Sequence, residues 1–345
     1  MMTANTMEKS VTPEKLMQLG LGFWASKVFL SAVELHVFDA LANAPLTAEE
    51  LTQTLALSER SNRDFLDALV VLGLLTRDNQ KYSNGPEAAE YLVSTKPSYI
   101  GGFFAMVNSR LYKSWGGLTE ALKSGMPQNE AKDTDSKELF AKLYQDPDRL
   151  RLFLGSMTGI SRGPAHAIAT KFAWKSYKTF ADVGTAQGGL ATAIAAQHEH
   201  LQGIGFDLPE VKLVFEEYVA ANGVQQRLKF QAGDFFKDEL PKVDVIVMGH
   251  ILHDWNLDEK KMLVRKAFNA LPSGGAYVVY DTMIDNDRSQ NLTGLLMSLN
   301  MLIETPGGFD YTMHDCESWL TEAGFKDIKF EPLIGPHTMA IAIKP

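Results

Sequence analysis

Apolar residues in the first third of the chain recur at helical spacing. Residues 16–39 carry leucine, phenylalanine, tryptophan and valine with few helix breakers, and residues 62–75 form a second apolar stripe. Between them Thr47 is followed three residues later by Glu50, the pattern of a capping box. The second stripe runs into two short strands around a polar turn. Three helices followed by a hairpin are typical of a winged helix.

The pattern changes near residue 176. Short apolar runs then alternate with helical segments, which indicates a parallel sheet with helices on both faces. The runs lie at residues 179–183, 203–206, 243–248, 276–280 and 339–343. We therefore predict a helical winged-helix domain over residues 1–105 and an α/β domain over 106–345. In the second domain an aromatic- and methionine-rich helical segment, 106–175, precedes the sheet at 176–345.

Composition narrows the function classes. The 345 residues include 33 Lys and Arg against 42 Asp and Glu, a formal charge of −9 that argues against nucleic-acid binding through the overall field. Cys316 is the single cysteine, so neither an internal disulfide nor a cysteine-based zinc cluster can form. The N-terminal residues lack a secretory pattern, and no window of 18 uncharged apolar residues occurs. We expect a cytoplasmic protein with no membrane partner.

Three successive strand ends carry residues suited to a nucleoside. Gly184 follows the first strand and precedes a helix, where glycine admits a ligand close to the backbone and free amides face it. The same turn could also serve without a ligand. Asp207 ends the next strand, where a carboxylate can accept hydrogen bonds from ribose hydroxyls. Asp234 could accept from an adenine amino group, with Phe235 or Phe236 against the ring. The turn lacks the glycines of a pyrophosphate site, so the ligand should be a nucleoside without phosphates.

The strand at residues 243–248 is followed by a turn with a histidine, His253, that could act as a general base at neutral pH. Asp281 and Asp310 are the carboxylates available to fix its tautomer. A lone histidine is more often structural, but the strand-end position favours a functional role. His250 lies three residues earlier, and with His253 and Asp254 it could form a nitrogen and oxygen site for iron or zinc. Separate orientation of the two rings is the simpler interpretation, so we predict no metal.

Four motifs in combination resemble the small-molecule O-methyltransferase family of class I, S-adenosylmethionine-dependent methyltransferases, which includes plant phenol, acetylserotonin and bacterial antibiotic-tailoring enzymes. They are Phe206-Asp207-Leu208-Pro209, Gly233-Asp234-Phe235-Phe236, Leu252-His253-Asp254-Trp255 and Pro306-Gly307-Gly308. The resemblance covers nearly the whole chain. It implies a Rossmann-like methyltransferase sheet behind an N-terminal winged-helix dimerisation domain, S-adenosylmethionine as cofactor, a small-molecule acceptor and a homodimer.

The resemblance also implies roles for individual residues. Gly184 would lie beside the methionine part of the cofactor, Asp207 at its ribose, and Asp234 and Phe235 at its adenine. His253 would take the proton from the acceptor hydroxyl, with Asp281 and Asp310 orienting it. The residues that would border the acceptor are Phe153, Met157, Asp254, Met297, Asn300 and Met301.

Three departures from the family pattern stand out. Thr185-Ala186 replaces a glycine pair, which should tighten the space near the cofactor. Gly249 occupies the place of a cofactor-supporting lysine of the plant members. Asp281 and Asp310 stand where the family has glutamates, so we expect these shorter acids to reach His253 through water.

The leading hypothesis is methyl transfer to a hydroxyl of a small aromatic molecule. A phenol is mostly protonated at neutral pH, so a histidine base would accelerate the transfer. One alternative is carbon methylation of a 2-oxo acid, with a metal held by His250 and His253. Another is a winged-helix regulator that senses S-adenosylmethionine without catalysis, which the net charge of −9 disfavours.

Overall fold

A computed structural model describes residues 11–129, 144 and 146–345, without the side chains of residues 148 and 149. Residues 130–143 and 145, part of the predicted helical segment 106–175, lie outside the described residues. The chain divides after Asn108 into two compact units. This division lies close to the boundary after residue 105 that the sequence predicts.

The first unit contains the predicted helices and hairpin. Its helices are α1 (Glu14–Glu34), α2 (Val37–Ala40), α3 (Ala48–Thr54), α4 (Asn62–Val71), α5 (Pro86–Tyr91) and α6 (Gly101–Met106). Strands β1 (Leu46–Thr47), β2 (Leu75–Asp78) and β3 (Lys81–Asn84) form an antiparallel sheet in the order β1-β3-β2. The capping box is confirmed, because the backbone N–H of Glu50 donates to Thr47 Oγ1 at 3.2 Å and that of Thr47 donates to Glu50 Oε2 at 2.7 Å.

Helix α1 leaves much of its apolar surface exposed. It is 21 residues long and apolar enough to pass a length-and-composition test for a membrane span, with only 17% of the tested window buried. Core helices and signal sequences pass the same test, so it is weak support for a span. The exposed apolar side chains are Leu16, Met17, Leu19, Phe23 and Trp24. A contiguous apolar surface of this kind usually marks an interaction site.

The second unit begins with short helical turns and then alternates strands with helices. The turns are a π-helical segment that starts in the first unit (Val107–Leu111), α7 (Tyr112–Ser114), a 3-10 turn (Trp115–Gly117) and α8 (Leu118–Ser124). The longer helices are α9 (Pro147–Lys171), α10 (Gly189–Gln197), α11 (Lys212–Ala221), α12 (Leu257–Ala270), α13 (Leu292–Glu304) and α14 (Met313–Ala323). The strands are β4 (Thr179–Val183), β5 (Gln202–Asp207), β6 (Leu228–Ala232), β7 (Val245–Gly249), β8 (Ala276–Asp281), β9 (Lys326–Pro332) and β10 (Thr338–Ile343).

These strands form one seven-stranded sheet in the order β6-β5-β4-β7-β8-β10-β9. The pairs from β6 to β8 are parallel, as predicted. Strand β10 is antiparallel to both β8 and β9, so the prediction of an all-parallel sheet is wrong at this edge. Strand β9 carries Lys326, Lys329 and Glu331 and is largely exposed. The sequence therefore has no apolar run that would predict this strand.

The parallel strands all present their carboxyl ends at one edge of the sheet. This edge therefore gathers the turns that follow β4, β5, β6, β7 and β8. Two buried apolar clusters hold the sheet, one including Phe180 and Phe215 and the other including Phe206 and Tyr277. Ligands of open α/β sheets bind at this edge, so the candidate site is expected there.

Candidate active site

The turn after β4 allows a ligand to approach the backbone closely. Gly184 has a φ of +74° and its N–H donates to the carbonyl of Phe206 at 2.9 Å. A Cβ at this position would lie 2.2 Å from Ile251 Cδ1, and the positive φ also favours glycine. Ala186 also adopts a left-handed conformation, with φ of +52°, which is uncommon for a residue with a side chain.

Asp207 at the end of β5 is held by the same turn. Its Oδ2 accepts from the N–H of Ala186 at 2.8 Å, and its Oδ1 accepts from the N–H of Leu208 at 2.8 Å. Burial raises the pKa of this carboxyl to about 6, although the two hydrogen bonds oppose the shift. Each oxygen keeps a further lone pair, so the carboxylate can still accept from the hydroxyls of a ribose.

Asp234 lies after β6 with both carboxylate oxygens already in contact with the protein. Oδ1 accepts from the N–H of Phe236 at 2.9 Å, and Oδ2 lies 2.9 Å from Lys237 Nζ. Phe235 packs edge-on against Trp255 with ring centroids 5.8 Å apart. Phe235, which is predicted to lie at the adenine, therefore packs against the residue that ends the turn after β7.

His253 lies in a 3-10 turn, Leu252–Asp254, that follows β7. The residue is 5% exposed, and its Nδ1 lies 3.4 Å from Asp310 Oδ1 and 3.8 Å from Asp281 Oδ1. Its Nε2 lies 3.6 Å from Asp254 Oδ1. The structure thus brings the predicted base and both predicted acids together. Asp310 is close enough for direct contact, without the water that the shorter side chain was expected to require.

The two acids are fixed by neighbouring hydroxyls. Tyr311 Oη donates to Asp281 Oδ2 at 2.5 Å, and Thr282 Oγ1 donates to Asp310 Oδ1 at 3.3 Å. Three buried atoms of this group form no hydrogen bond within the described residues: His253 Nδ1, Asp281 Oδ1 and Asp310 Oδ2. Unpaired buried polar atoms are costly and are concentrated at functional sites.

Burial and neighbouring charges strongly shift the pKa values of the groups in this cluster. Burial lowers the pKa of His253, but Asp281, Asp310 and Asp254 together outweigh it and raise that pKa to about 10. Burial raises the pKa of Asp254 to about 6 and that of Asp281 to about 7, while the charge of His253 opposes both shifts. The group therefore retains protons at neutral pH, and a positive charge brought near it would favour the neutral form of His253.

His250 is a second histidine at the same edge. Its φ is +53°, and its Nδ1 lies 3.6 Å from Asp281 Oδ1. Burial, with His253 and His337 nearby, holds its pKa well below the usual value. His250, His253 and Asp281 offer ligand atoms within 4.8 Å of one another, so by residue type they could hold a metal ion.

The Tyr280 ring explains why residue 249, at the end of β7, is a glycine. A Cβ on Gly249 would overlap the Tyr280 ring at Cε1 and Cζ, so the aromatic ring occupies the space that a side chain here would need. Tyr280 is buried and directly precedes Asp281 in β8. The Tyr280 ring, on the neighbouring strand, thus fills the space beside Gly249.

The Pro306-Gly307-Gly308 loop lies directly on the histidine turn. A Cβ on Gly308 would lie 2.6 Å from the carbonyl oxygen of His253 and 2.8 Å from that of Asp254. Glycine is therefore required for this contact, and the contact places Asp310, two residues later, beside His253. The motif identified by resemblance has a steric reason in this chain.

The predicted acceptor residues occupy α9, α13 and the histidine turn. Asn300 and Met301 are buried, whereas Phe153, Met157 and Met297 are half-buried. The Asn300 side chain is engaged, since its Oδ1 accepts from Trp115 Nε1 at 2.9 Å and its Nδ2 donates to Glu304 Oε2 at 2.9 Å. Asn300 would therefore act on a bound acceptor indirectly, by fixing the position of Trp115.

Two residues of this region are missing from the predictions. Tyr311 follows Asp310 directly, and its bond to Asp281 has no signal in the sequence. Lys260 is fully buried in α12 on the face that also carries Leu263, Val264 and Ala267. A lysine at an apolar position of this helical stripe is a signal that the sequence does contain.

Comparison with known proteins gives family and structural relatives. An O-methyltransferase domain model matches residues 115–326, and an O-methyltransferase dimerisation domain model matches residues 17–94. The chain is 41% identical to the tetracenomycin polyketide synthesis 8-O-methyl transferase TcmO of Streptomyces glaucescens, over 96% of this chain and 97% of that one. It is 35% identical to the N,N-dimethyltransferase OxyT of Streptomyces rimosus over 100% of both chains. The structure of human N-acetylserotonin methyltransferase in complex with SAM superposes with a TM-score of 0.89 at 27% identity, covering 99% of each chain.

Proposed function

The chain belongs to the O-methyltransferase family, and on that premise we propose that it methylates a hydroxyl of a small aromatic molecule, with His253 as the general base. The observation that carries this proposal is the His253 imidazole, buried among Asp254, Asp281 and Asp310 at the carboxyl edge of the sheet. A buried histidine with orienting carboxylates is the arrangement of a general base.

S-adenosylmethionine is the cofactor, and when bound it supplies a methyl group on a positively charged sulfur. The residues present fit it. The strained turn at Gly184 leaves backbone in place of side chain, and the N-terminus of α10 follows it. Asp207 would accept from the ribose hydroxyls, with Asp234 and Phe235 at the adenine and Gly249 beside the cofactor.

The base would act through Nε2. Nδ1 faces Asp310 and Asp281, which fix the ring and stabilise its charged form. Once the ring is neutral, the form that the positive charge of the bound cofactor would favour, Nε2 is the nitrogen that can take the proton of an acceptor hydroxyl. General-base assistance of this kind contributes about 10²–10⁴-fold. Alignment of the reacting atoms contributes more, up to about 7–11 kcal/mol of the barrier by effective-molarity estimates.

An aromatic acceptor of the polyketide type is favoured by the relative TcmO, whose name records polyketide O-methylation. We propose that Phe153, Met157, Asp254, Met297, Asn300 and Met301 border this acceptor. The half-buried aromatic and methionine side chains among them suit a flat apolar ring system.

A second copy of the chain is the proposed partner of the exposed face of α1. The dimerisation domain model begins at residue 17 and so includes most of this helix. Burying Phe23 and Trp24 between two copies would remove the largest exposed aromatic side chains of α1 from water. The cytoplasmic location stays a prediction.

The test uses purified protein, S-adenosylmethionine with a labelled methyl group, and three acceptor classes: polycyclic phenols, aromatic amines and 2-oxo acids. Mass spectrometry and NMR then locate the new methyl group. We expect an O-methyl product from at least one phenol, with or without a chelator. Methylation only at carbon or nitrogen would overturn the proposed acceptor atom, and loss of turnover with chelator would favour the metal-dependent alternative.

A further inference from the structure

Lys260 is a fully buried cation that the methyl-transfer mechanism above does not use. Its Nζ donates to the carbonyl oxygen of Trp255 and lies 3.6 Å from the centroid of the Phe309 ring. Burying an ammonium group is expensive unless its charge and its donors are satisfied. This lysine lies on the apolar face of α12, where the other buried residues are Leu263, Val264, Ala267 and Ala270.

The two contacts of Lys260 reach both segments that carry the groups around His253. Trp255 directly follows His253 and Asp254, and Phe309 directly precedes Asp310. The same two segments touch where Gly308 meets the carbonyl oxygens of His253 and Asp254. Lys260 therefore holds these two segments together from α12. Their contact sets the 3.4 Å separation between His253 Nδ1 and Asp310 Oδ1.

The positive charge of Lys260 also interacts with the carboxylates around His253. Within the described residues no carboxylate oxygen lies at ion-pair distance from Nζ, so its charge acts through space. Burial lowers the pKa of Lys260 to about 8, and the surrounding carboxylates oppose that shift. The titratable groups that face Lys260 or His253 are Asp254, Asp281, Asp310, Glu259, His250 and His337.

We propose that Lys260 is a positioning residue for methyl transfer, which holds the His253 turn against the Asp310 loop through Trp255 and Phe309. This inference rests on the proposed function, because it assigns Lys260 an effect only through His253. Lys260 touches neither the acceptor nor the cofactor in this scheme. Its effect should therefore fall on kcat rather than on the KM for S-adenosylmethionine.

The test is a double-mutant cycle between Lys260→Met and His253→Ala, read on whichever product the parent enzyme forms. Methionine keeps most of the length of the side chain and removes the ammonium group. We expect Lys260→Met to lower kcat by about tenfold with an unchanged KM for S-adenosylmethionine. In the His253→Ala background the same change should alter kcat by less than about twofold. Lys261→Met, the neighbouring and partly exposed lysine, is the matched control and should leave kcat unchanged.

Phe309→Leu gives an independent route if Lys260→Met does not fold. It removes the ring under the ammonium group and should reproduce the kcat loss, again only when His253 is present. An equal loss in both backgrounds would overturn the role of Lys260, as would a rise in KM without a fall in kcat. Failure of the proposed function would be recognised separately, because His253→Ala alone would then retain parental turnover.

Discussion

His253 Nδ1 and Asp310 Oδ1 lie 3.4 Å apart although they come from turns more than fifty residues apart in the chain. The contact directs Nδ1 toward a carboxylate, and Nε2, which lies 3.6 Å from Asp254 Oδ1, is the nitrogen that we propose for the acceptor. It depends on Gly308, whose missing side chain lets the Asp310 loop rest on the carbonyl oxygens of the His253 turn. The chemistry of the site is thus set by a steric condition two residues away from the acid.

Asp310→Asn should shift the pH dependence of the reaction. The nearby carboxylates raise the pKa of His253 to about 10, so removing one negative charge lowers that pKa. The base then becomes neutral at lower pH, and the acid limb of the kcat profile moves to lower pH while the maximum kcat falls. Profiles between pH 5 and 10 measure this. Asp258→Asn, an exposed aspartate in the first turn of α12, is the control. An unmoved acid limb would contradict the electrostatic role of Asp310.

Asp207→Asn should weaken cofactor binding. The carboxylate accepts from two backbone N–H groups at 2.8 Å, and an amide can accept with only one of its ends. The proposed hydrogen bonds from the ribose hydroxyls to this charged group would be weakened as well, at a cost of about 1.5–3 kcal/mol, which predicts roughly 10- to 100-fold weaker binding of S-adenosylhomocysteine by calorimetry. Glu210→Gln, exposed in the turn that follows, is the control. Affinity equal to that of the parent would remove Asp207 from the ribose site.

Gly249→Ala should destabilise the protein through Tyr280. The added Cβ overlaps the buried ring, and overpacking of this kind costs about 1–3 kcal/mol. Thermal unfolding measures the loss, and Tyr280→Leu in the same chain should restore most of it. Gly116→Ala adds a methyl group where no atom lies within 4 Å and serves as the control. An unchanged unfolding midpoint in Gly249→Ala would show that the two positions are not coupled.

Trp24→Glu should convert a dimer into a monomer. The side chain is 59% exposed on α1, and a charge at a self-association surface is repelled by its copy. Light scattering after size-exclusion chromatography gives the mass directly. Leu213→Glu changes an apolar side chain of similar exposure, 58%, in the other unit and should leave the mass unchanged. A dimer that survives Trp24→Glu would place the subunit contact elsewhere.

The sequence predicts those parts of the site that follow from strand ends. Gly184 and Asp207 come directly after apolar runs and His253 lies in the turn after another, and parallel strands bring such positions to one edge. The antiparallel edge could not be predicted in this way, because β9 is charged and exposed. The Tyr311 to Asp281 bond depends on how two distant segments pack, and no local pattern encodes it. Lys260 is an intermediate case, since its place on an apolar stripe is visible but its partners Trp255 and Phe309 are not.

If His253 removes the acceptor proton, His253→Ala should slow methyl transfer to two kinds of phenol by different factors. One is a phenol that is protonated at the assay pH, and the other is a phenol that is already ionised. Single-turnover rates should fall by about 10²–10⁴-fold for the protonated phenol and far less for the ionised one, with cofactor affinity unchanged. Equal losses for both phenols, or undiminished turnover of the protonated one, would contradict the assignment of His253 as the base.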